Sequence, residues 1–213
     1  MSHVLPKLPA PNQAFATPAT PERLRRVAEA LERRGIHTTI AADATEAKQL
    51  ALALIPEGAE VHIALSETMA KLGITPAIQE SGKYDAIRPK LMRMDRATQH
   101  REMRKLATAP DYILGSVHAI TDDGILLIAS GSGSQLGPYA QSAGTVVLVA
   151  GHQKIVSDVT EGLRRIHEYS LPMEDQRMKD MGHQGSIVGK VLLIEHEMPG
   201  RIHLILIPEV IGF

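Results

Sequence analysis

The chain has 213 residues, a formal charge of -1 from 23 basic and 24 acidic side chains, 3% aromatics, and neither tryptophan nor cysteine. That length fits one α/β domain with a single core, and balanced charge with few aromatics argues against a nucleic-acid binder. Without cysteine the chain has no disulfide, thiolate zinc site, cysteine-ligated iron–sulfur cluster or cysteine nucleophile, which fits a reducing, cytoplasmic setting.

Residues 1–20 are rich in proline and alanine and lack a long apolar stretch. They read as a flexible arm, neither a secretory signal nor a membrane span. Residues 21–213 follow as one domain, without internal repeat or linker. Thr20-Pro21, followed by Leu24, Val27, Ala28 and Leu31, predicts an amphipathic helix capped by Thr20 and ended at Gly35. A short strand is expected over 36–41. Asp43 with Glu46 resembles a capping box, opening a helix with Ala47, Leu50, Ala51 and Leu54 on one side and a stop at Pro56. The strand expected over 60–65 leads into Ser66-Glu67-Thr68 and a short helix to Leu72.

A charged helix is expected over 95–109, with Met103 and Leu106 inward. Apolar runs at 112–114, 125–129 and 146–150 predict three strands. Thr121-Asp122-Asp123-Gly124 before the second reads as a tight hairpin turn, since Asp-Gly suits positive φ. A helix over 158–169 carries the stripe Val159, Leu163 and Ile166, and another spans 172–181. Strands at 191–194 and 202–207 flank a turn at Met198-Pro199-Gly200, with His196 and His203 placed to meet across it. Arg164-Arg165 and the arginines from Arg23 to Arg34 read as solvated helix faces. Strands alternating with helices predict an α/β fold with a mostly parallel sheet covered on both faces.

In such a sheet, ligands bind at the carboxyl ends of the strands. Ser66 and Thr68 sit where a strand meets a helix, so their hydroxyls and free N–H groups suit a phosphate or carboxylate; simple N-capping explains them equally. Ser130-Gly131-Ser132-Gly133-Ser134-Gln135 is the strongest signal, because glycine lets backbone N–H groups approach an anion. It is not a dinucleotide fingerprint, since Leu136 stands where the third glycine belongs. Lys154, in a loop after Gly151, suits an anion as a point charge or is a surface lysine. His118 and Asp122 suit acid–base work, against a satisfied polar side chain and a turn residue. No histidines show metal-ligand spacing, and no metal or bound cofactor is expected on this chain.

Ser116-Val117-His118-Ala119-Ile120-Thr121-Asp122-Asp123-Gly124 and Gly151-His152-Gln153-Lys154-Ile155-Val156 resemble the lactate-utilisation domain (LUD) family. Leu163-Arg164-Arg165-Ile166, Leu171-Pro172-Met173-Glu174 and the tail from Pro199-Gly200-Arg201 to Gly212-Phe213 continue the likeness in order and spacing, over roughly 24–213. The resemblance implies a three-layer Rossmann-like sandwich akin to sugar-phosphate isomerases and CoA-transferases. It places the ligand on loops holding Ser66, Thr68, Ser116, Ser132, Gly133, Ser134, Gln135 and Lys154. It also implies a part in bacterial oxidation of lactate to pyruvate beside iron–sulfur partner proteins. The chain departs from the family at 130–135, where many members carry an aspartate and Gly-Asn-Arg. It also has Gly151-His152-Gln153-Lys154 for the common Gly-x-Asn-Lys, so its ligand is open.

Three functions remain in play. The first is an accessory protein of lactate or organic-acid metabolism that binds a small anion and leaves electron transfer to partners. The second is an isomerase or acyl-CoA-transfer enzyme with Glu67 or Asp122 as nucleophile or base. The third is a non-catalytic sensor or interaction module, with the final strands and Ile211-Gly212-Phe213 available for a homodimer.

Overall fold

The computed structural model describes residues 7–213. Helix α1 (Pro21–Arg33) starts where the capping signals place it, with the Arg23 N–H donating to Thr20 Oγ1 at 3.2 Å. Its buried face is Leu24, Val27, Ala30 and Leu31. Strand β1 (His37–Ile40) follows. Then comes α2 (Ala44–Ala53), whose cap Asp43 accepts from the Glu46 N–H at 2.8 Å. The Glu46 carboxylate reaches back to the Ala42 N–H, closing the box one residue early.

Strand β2 (Glu60–Ile63), α3 (Glu67–Lys71), α4 (Ile74–Gln79), β3 (Asp85–Ala86) and α5 (Ile87–Arg93) come next. Nothing in the sequence pattern announced α4, β3 or α5. Helix α6 (His100–Thr108) buries Met103, while strand β4 (Tyr112–Gly115) runs into the core. Strands β5 (Ala119–Thr121) and β6 (Leu126–Ser130) form the expected hairpin, and β7 (Thr145–Gly151), β8 (Ile155–Val156) and α7 (Val159–Arg165) follow. Helix α8 (Leu171–Asp180) and strands β9 (Lys190–Ile194) and β10 (Ile202–Ile207) complete the chain.

The principal sheet has six strands in the order β1-β10-β7-β4-β2-β3, and every pair in it is parallel. The mixed α/β expectation with a parallel sheet therefore holds. One face packs on α2, α3 and α4 through Ala47, Ala51, Met69, Ile74 and Ile78. The other face carries Ile113, Val146, Leu148, Leu204 and Leu206, covered by α1 and by a second sheet.

That second sheet, ordered β8-β5-β6-β9, corrects two expectations. The run at 125–129 belongs to it rather than to the parallel sheet. The last two strands also form no hairpin: β9 lies antiparallel to β6, whereas β10 is inserted between β1 and β7. His196 and His203 are thereby separated. His196 Nε2 sits 3.4 Å from Arg34 Nη1, and the His203 ring packs edge-on to His37 at 5.3 Å. The residue pattern of an apolar strand does not say which sheet receives it, so register rests on long-range packing.

Helix α7 covers the outer face of the second sheet, burying Gly162, Arg165 and Ile166. The expected stripe is corrected by one position, because Leu163 faces solvent. The two helices expected at 158–169 and 172–181 are continuous, joined by a π-helical turn at Ile166–Ser170. Pro172 has no N–H to offer the Glu168 carbonyl four residues back, which explains the local widening. That carbonyl instead accepts the Asn12 N–H at 2.8 Å, while Asn12 Nδ2 donates to Glu168 Oε2 at 3.0 Å. Asn12 and Phe15 thus sit against this helix; the first six residues of the expected arm fall outside the described chain.

Candidate functional site

From β2 the chain moves outward to β3 and returns to β4 on the other side of β2. The loops after β2 and β4 therefore diverge, and such a reversal in strand order leaves a crevice beyond the carboxyl ends. A cavity of about 310 Å³ occupies it. Its walls are the loop after β2 (Ser66, Glu67, Thr68), the loop after β4 (Ser116, His118) and Lys154 beyond β7. The end of β6 with Ser132, Ser134 and Gln135, the α7–α8 seam at Ile166 and Ser170, and residues 186–188 close it.

Lys154 lies at the centre, in a one-turn 3₁₀ helix (His152–Lys154), and is 1% exposed. Its Nζ donates to Thr68 Oγ1 (3.2 Å), Ser116 Oγ (3.0 Å), the Val117 carbonyl (3.0 Å) and the Phe213 main-chain oxygen (3.2 Å). Ser116 Oγ donates onward to the Val149 carbonyl at 2.7 Å. None of these partners is a side-chain carboxylate. Burial, and then the charge of Arg165, hold the Lys154 amine well below the usual lysine range.

The chain's last described residues build this wall. Gln153 Nε2 donates to the Ile211 and Gly212 carbonyls at 2.9 and 3.1 Å. Gly212 adopts φ 63°, and a Cβ there would run into Thr68. Ile211 is buried and Phe213 lines the cavity, so this segment packs within its own chain rather than standing free as an interface.

His118 Nδ1 accepts the Ala129 N–H at 3.1 Å, which leaves the ring proton on Nε2. Burial, then Lys154 and Arg165, push its pKa down to about 3, so the ring is neutral. Behind it lies Arg165, fully buried (0% exposed), where a solvated face was expected. Its Nη1 donates to the His118 carbonyl and, at 3.1 Å, to Ser170 Oγ. Its guanidinium lies 5.1 Å from the Tyr169 ring, while Nε and Nη2 have no partner. Burial brings this guanidinium down to about 10. Gly162, Arg165, Ile166 and Tyr169 fall at helical spacing, and that phase of the pattern would have flagged the arginine.

The cavity acids already have cations. Glu67 faces Lys71 at 3.6 Å, and Glu174 grips Arg177 through contacts of 2.6 and 2.7 Å. Lys154 and Arg165 therefore have no side-chain carboxylate as partner in a low-dielectric setting. Two further polar groups at the cavity wall are orphaned, His62 Nδ1 and the Tyr139 hydroxyl. Gly115 lets that hydroxyl approach, since a Cβ there would run into it. Sequence reasoning gave no site role to His62, Arg88, Tyr139 or Glu174; the first three reach the cavity from elements that carry no local motif.

The remaining expected residues sort clearly. Ser66 caps α3, accepting the Met69 N–H at 3.4 Å, and also lines the cavity. In the 130–135 loop the Gly133 N–H donates to Ser130 Oγ at 2.9 Å, and Gln135 Nε2 donates to the Ala129 carbonyl at 3.4 Å. Ser132 and Ser134 keep exposed hydroxyls at the cavity. Gly133, with φ 86°, turns the chain against the Lys190 side chain and does not line the cavity. Asp122 is displaced altogether: it sits at the β5–β6 turn, and Arg23 grips it through contacts of 2.7 and 3.1 Å. Arg34 pairs likewise with Asp123 at 2.7 Å, so Arg23 and Arg34 tie α1 to the hairpin instead of facing open solvent. Among the described residues no cluster of three His, Asp or Glu side chains is placed to hold a metal, and no helix is long and apolar enough to cross a membrane.

The LUD domain model matches residues 24–207 of this chain. A crystal structure of a DUF162 family protein from Deinococcus radiodurans shares the fold at 12% identity, with a TM-score of 0.53 over 87% of this chain and 96% of that one. The eIF2B beta structure from Chaetomium thermophilum also aligns, at 12% identity and a TM-score of 0.36, over 68% of this chain and 59% of that one. No curated protein matches the chain.

Proposed function

The chain belongs to the LUD domain family, whose members are associated with lactate utilisation, and on that premise we propose that it is an accessory, ligand-binding protein of lactate or related organic-acid oxidation. It holds a small anion at the carboxyl ends of β2, β4 and β7. The observation that carries this reading is Lys154, a lysine 1% exposed with no side-chain carboxylate among its partners. An ammonium buried without a side-chain carboxylate is costly, and an arriving carboxylate or phosphate favours its charged form. Arg165 adds a second basic group without a side-chain carboxylate partner behind His118. Thr68, Ser116, Ser132 and Ser134 offer hydroxyls to the ligand's oxygens. The chain has no cysteine to ligate an iron–sulfur cluster, and in this reading the iron–sulfur partner proteins that the family resemblance implies carry the electrons of lactate oxidation.

The test is a thermal-shift panel of lactate, pyruvate, sugar phosphates and CoA esters on the purified protein, with Lys154→Met and Ser134→Ala alongside. Ligand at ~100 Kd stabilises by about 2.7 kcal/mol, roughly 5–10 °C for a chain of this size. Lys154→Met should abolish the shift, and Ser134→Ala should weaken it. A panel that leaves the wild-type midpoint unmoved counts against the reading. Capture of no iron–sulfur protein from lactate-grown cells removes the partner.

A second reading has one observation in its favour: Glu67 lines the same cavity, next to Thr68. A carboxylate there suits an isomerase base or an acyl-transfer nucleophile. Glu67→Gln that spares every turnover detected with the panel compounds eliminates it.

A further inference from the structure

Arg88, the second residue of α5, lines the cavity away from Lys154 and its four oxygen partners. The other cations of its helix are engaged: Lys90 pairs with Asp85 at 2.6 Å, and Arg93 Nε donates to the Pro89 carbonyl at 3.3 Å. Arg88 makes no hydrogen bond or ion pair with any described residue. Burial, and then the like charge of Arg96, depress its pKa, so its surroundings already hold excess positive charge. His62 is beside it, 6% exposed, with an orphaned Nδ1. Burial and Arg88 together bring His62 down to about 4, which keeps its ring neutral and available as a hydrogen-bond partner. Arg88 and His62 approach from β2 and α5, whereas Lys154, Ser116 and Thr68 approach from the ends of β7, β4 and the start of α3.

We propose that the ligand carries two anionic groups, one held at Lys154 with Ser116 and Thr68, the other at Arg88 with His62. This rests on the anion-binding reading above and narrows its substrate class to a small dianionic organic acid. Charge counting supports it. Lys154, Arg165 and Arg88 are three basic groups at or behind one cavity without a side-chain carboxylate partner, while Glu67 and Glu174 are matched by Lys71 and Arg177. A monoanion leaves the Arg88 end uncompensated. The guanidinium fork suits either a carboxylate or a phosphate in bidentate fashion.

Calorimetric titration at fixed ionic strength with lactate, malate and 3-phosphoglycerate tests this. The three probes share a hydroxy acid and differ in having no second anion, a second carboxylate or a phosphate. The wild-type chain should bind malate or 3-phosphoglycerate at least tenfold more tightly than lactate, and the tighter of the two identifies the second group. Arg88→Leu should compress that preference to below threefold, and Arg88→Lys should retain part of it. Lys154→Met should weaken all three probes. Equal wild-type affinity for lactate and both dianions overturns the proposal, as does a preference that survives Arg88→Leu in a variant that unfolds cooperatively. If lactate binds through Lys154 but Arg88 has no effect, the second subsite fails and the anion site stands. If no anion of any kind binds, both fall.

Discussion

Acidification is the sharpest physical test of this site. An ordinary histidine titrates near 6.5, whereas burial and neighbouring cations hold His118 down to about 3 and His62 down to about 4. Lys154 and Arg165 face His118, and Arg88 faces His62; all are cations and all oppose protonation. Because the folded pKa values are depressed, the unfolded chain takes up protons first as pH falls. Stability from these two groups is therefore complete above about pH 6.5 and is lost progressively down to their folded values. At pH 5 the linkage relation gives about 2 kcal/mol for each histidine, or about 4 kcal/mol together. Burial also lowers His152 and His203, which add loss of the same sign. Urea unfolding at pH 7.5 and pH 5.0 measures the difference. His118→Asn keeps an acceptor for the Ala129 N–H without a titrating ring, and it should remove about half of the loss; His62→Asn should remove a similar share. A chain whose stability changes by less than about 1 kcal/mol between the two pH values would refute the reasoning. So would variants with the full wild-type loss.

Three other perturbations have definite outcomes. Gly115→Ala drives a methyl into the Tyr139 hydroxyl and should cost about 1–3 kcal/mol by overpacking; Tyr139→Phe in the same chain should recover much of it in a double-mutant cycle followed by urea unfolding. Arg165→Met removes a buried cation two of whose nitrogens have no partner, so the melting midpoint should hold within a few degrees or rise while anion affinity measured by calorimetry falls several-fold. Asp122→Ala breaks an exposed pair with Arg23 and should change stability by less than about 1 kcal/mol, with anion affinity unaltered because Asp122 lies at the hairpin turn and not at the cavity.

Much of the site was legible because it sits at strand ends. Ser66, Thr68, Ser116 and Lys154 each follow an apolar run that stops at a small or polar residue, and in a parallel sheet those positions converge on one edge. The burial of Arg165 could be read from its helical phase with Gly162, Ile166 and Tyr169, but its partners could not, since they are Ser170 in a π-helical turn and the carbonyl of His118, 47 residues away. Arg88 and Tyr139 were hidden for the same reason, since neither stands in a motif and each reaches the cavity only through the folding of a distant element. Asp122 misled because a carboxylate near a histidine in sequence suggests chemistry, while the β5–β6 turn points it toward α1 and Arg23.

By itself the sequence determined what depends on neighbours within about one helical turn. The Thr20 and Asp43 caps, the Asp-Gly turn and the apolar runs that become strands all follow from short-range hydrogen bonding, backbone preference and side-chain periodicity. Tertiary structure alone decided which sheet received each strand, that β10 rather than β9 enters the parallel sheet, and that Lys154, Arg165 and His62 are buried and Arg88 half-buried at one cavity with no side-chain carboxylate as partner. The reason is physical: an apolar strand fits any apolar neighbour, and a charged side chain looks the same on a page whether water or a low-dielectric wall surrounds it. Burial, which makes a cation seek an anion, is a property of the packed chain.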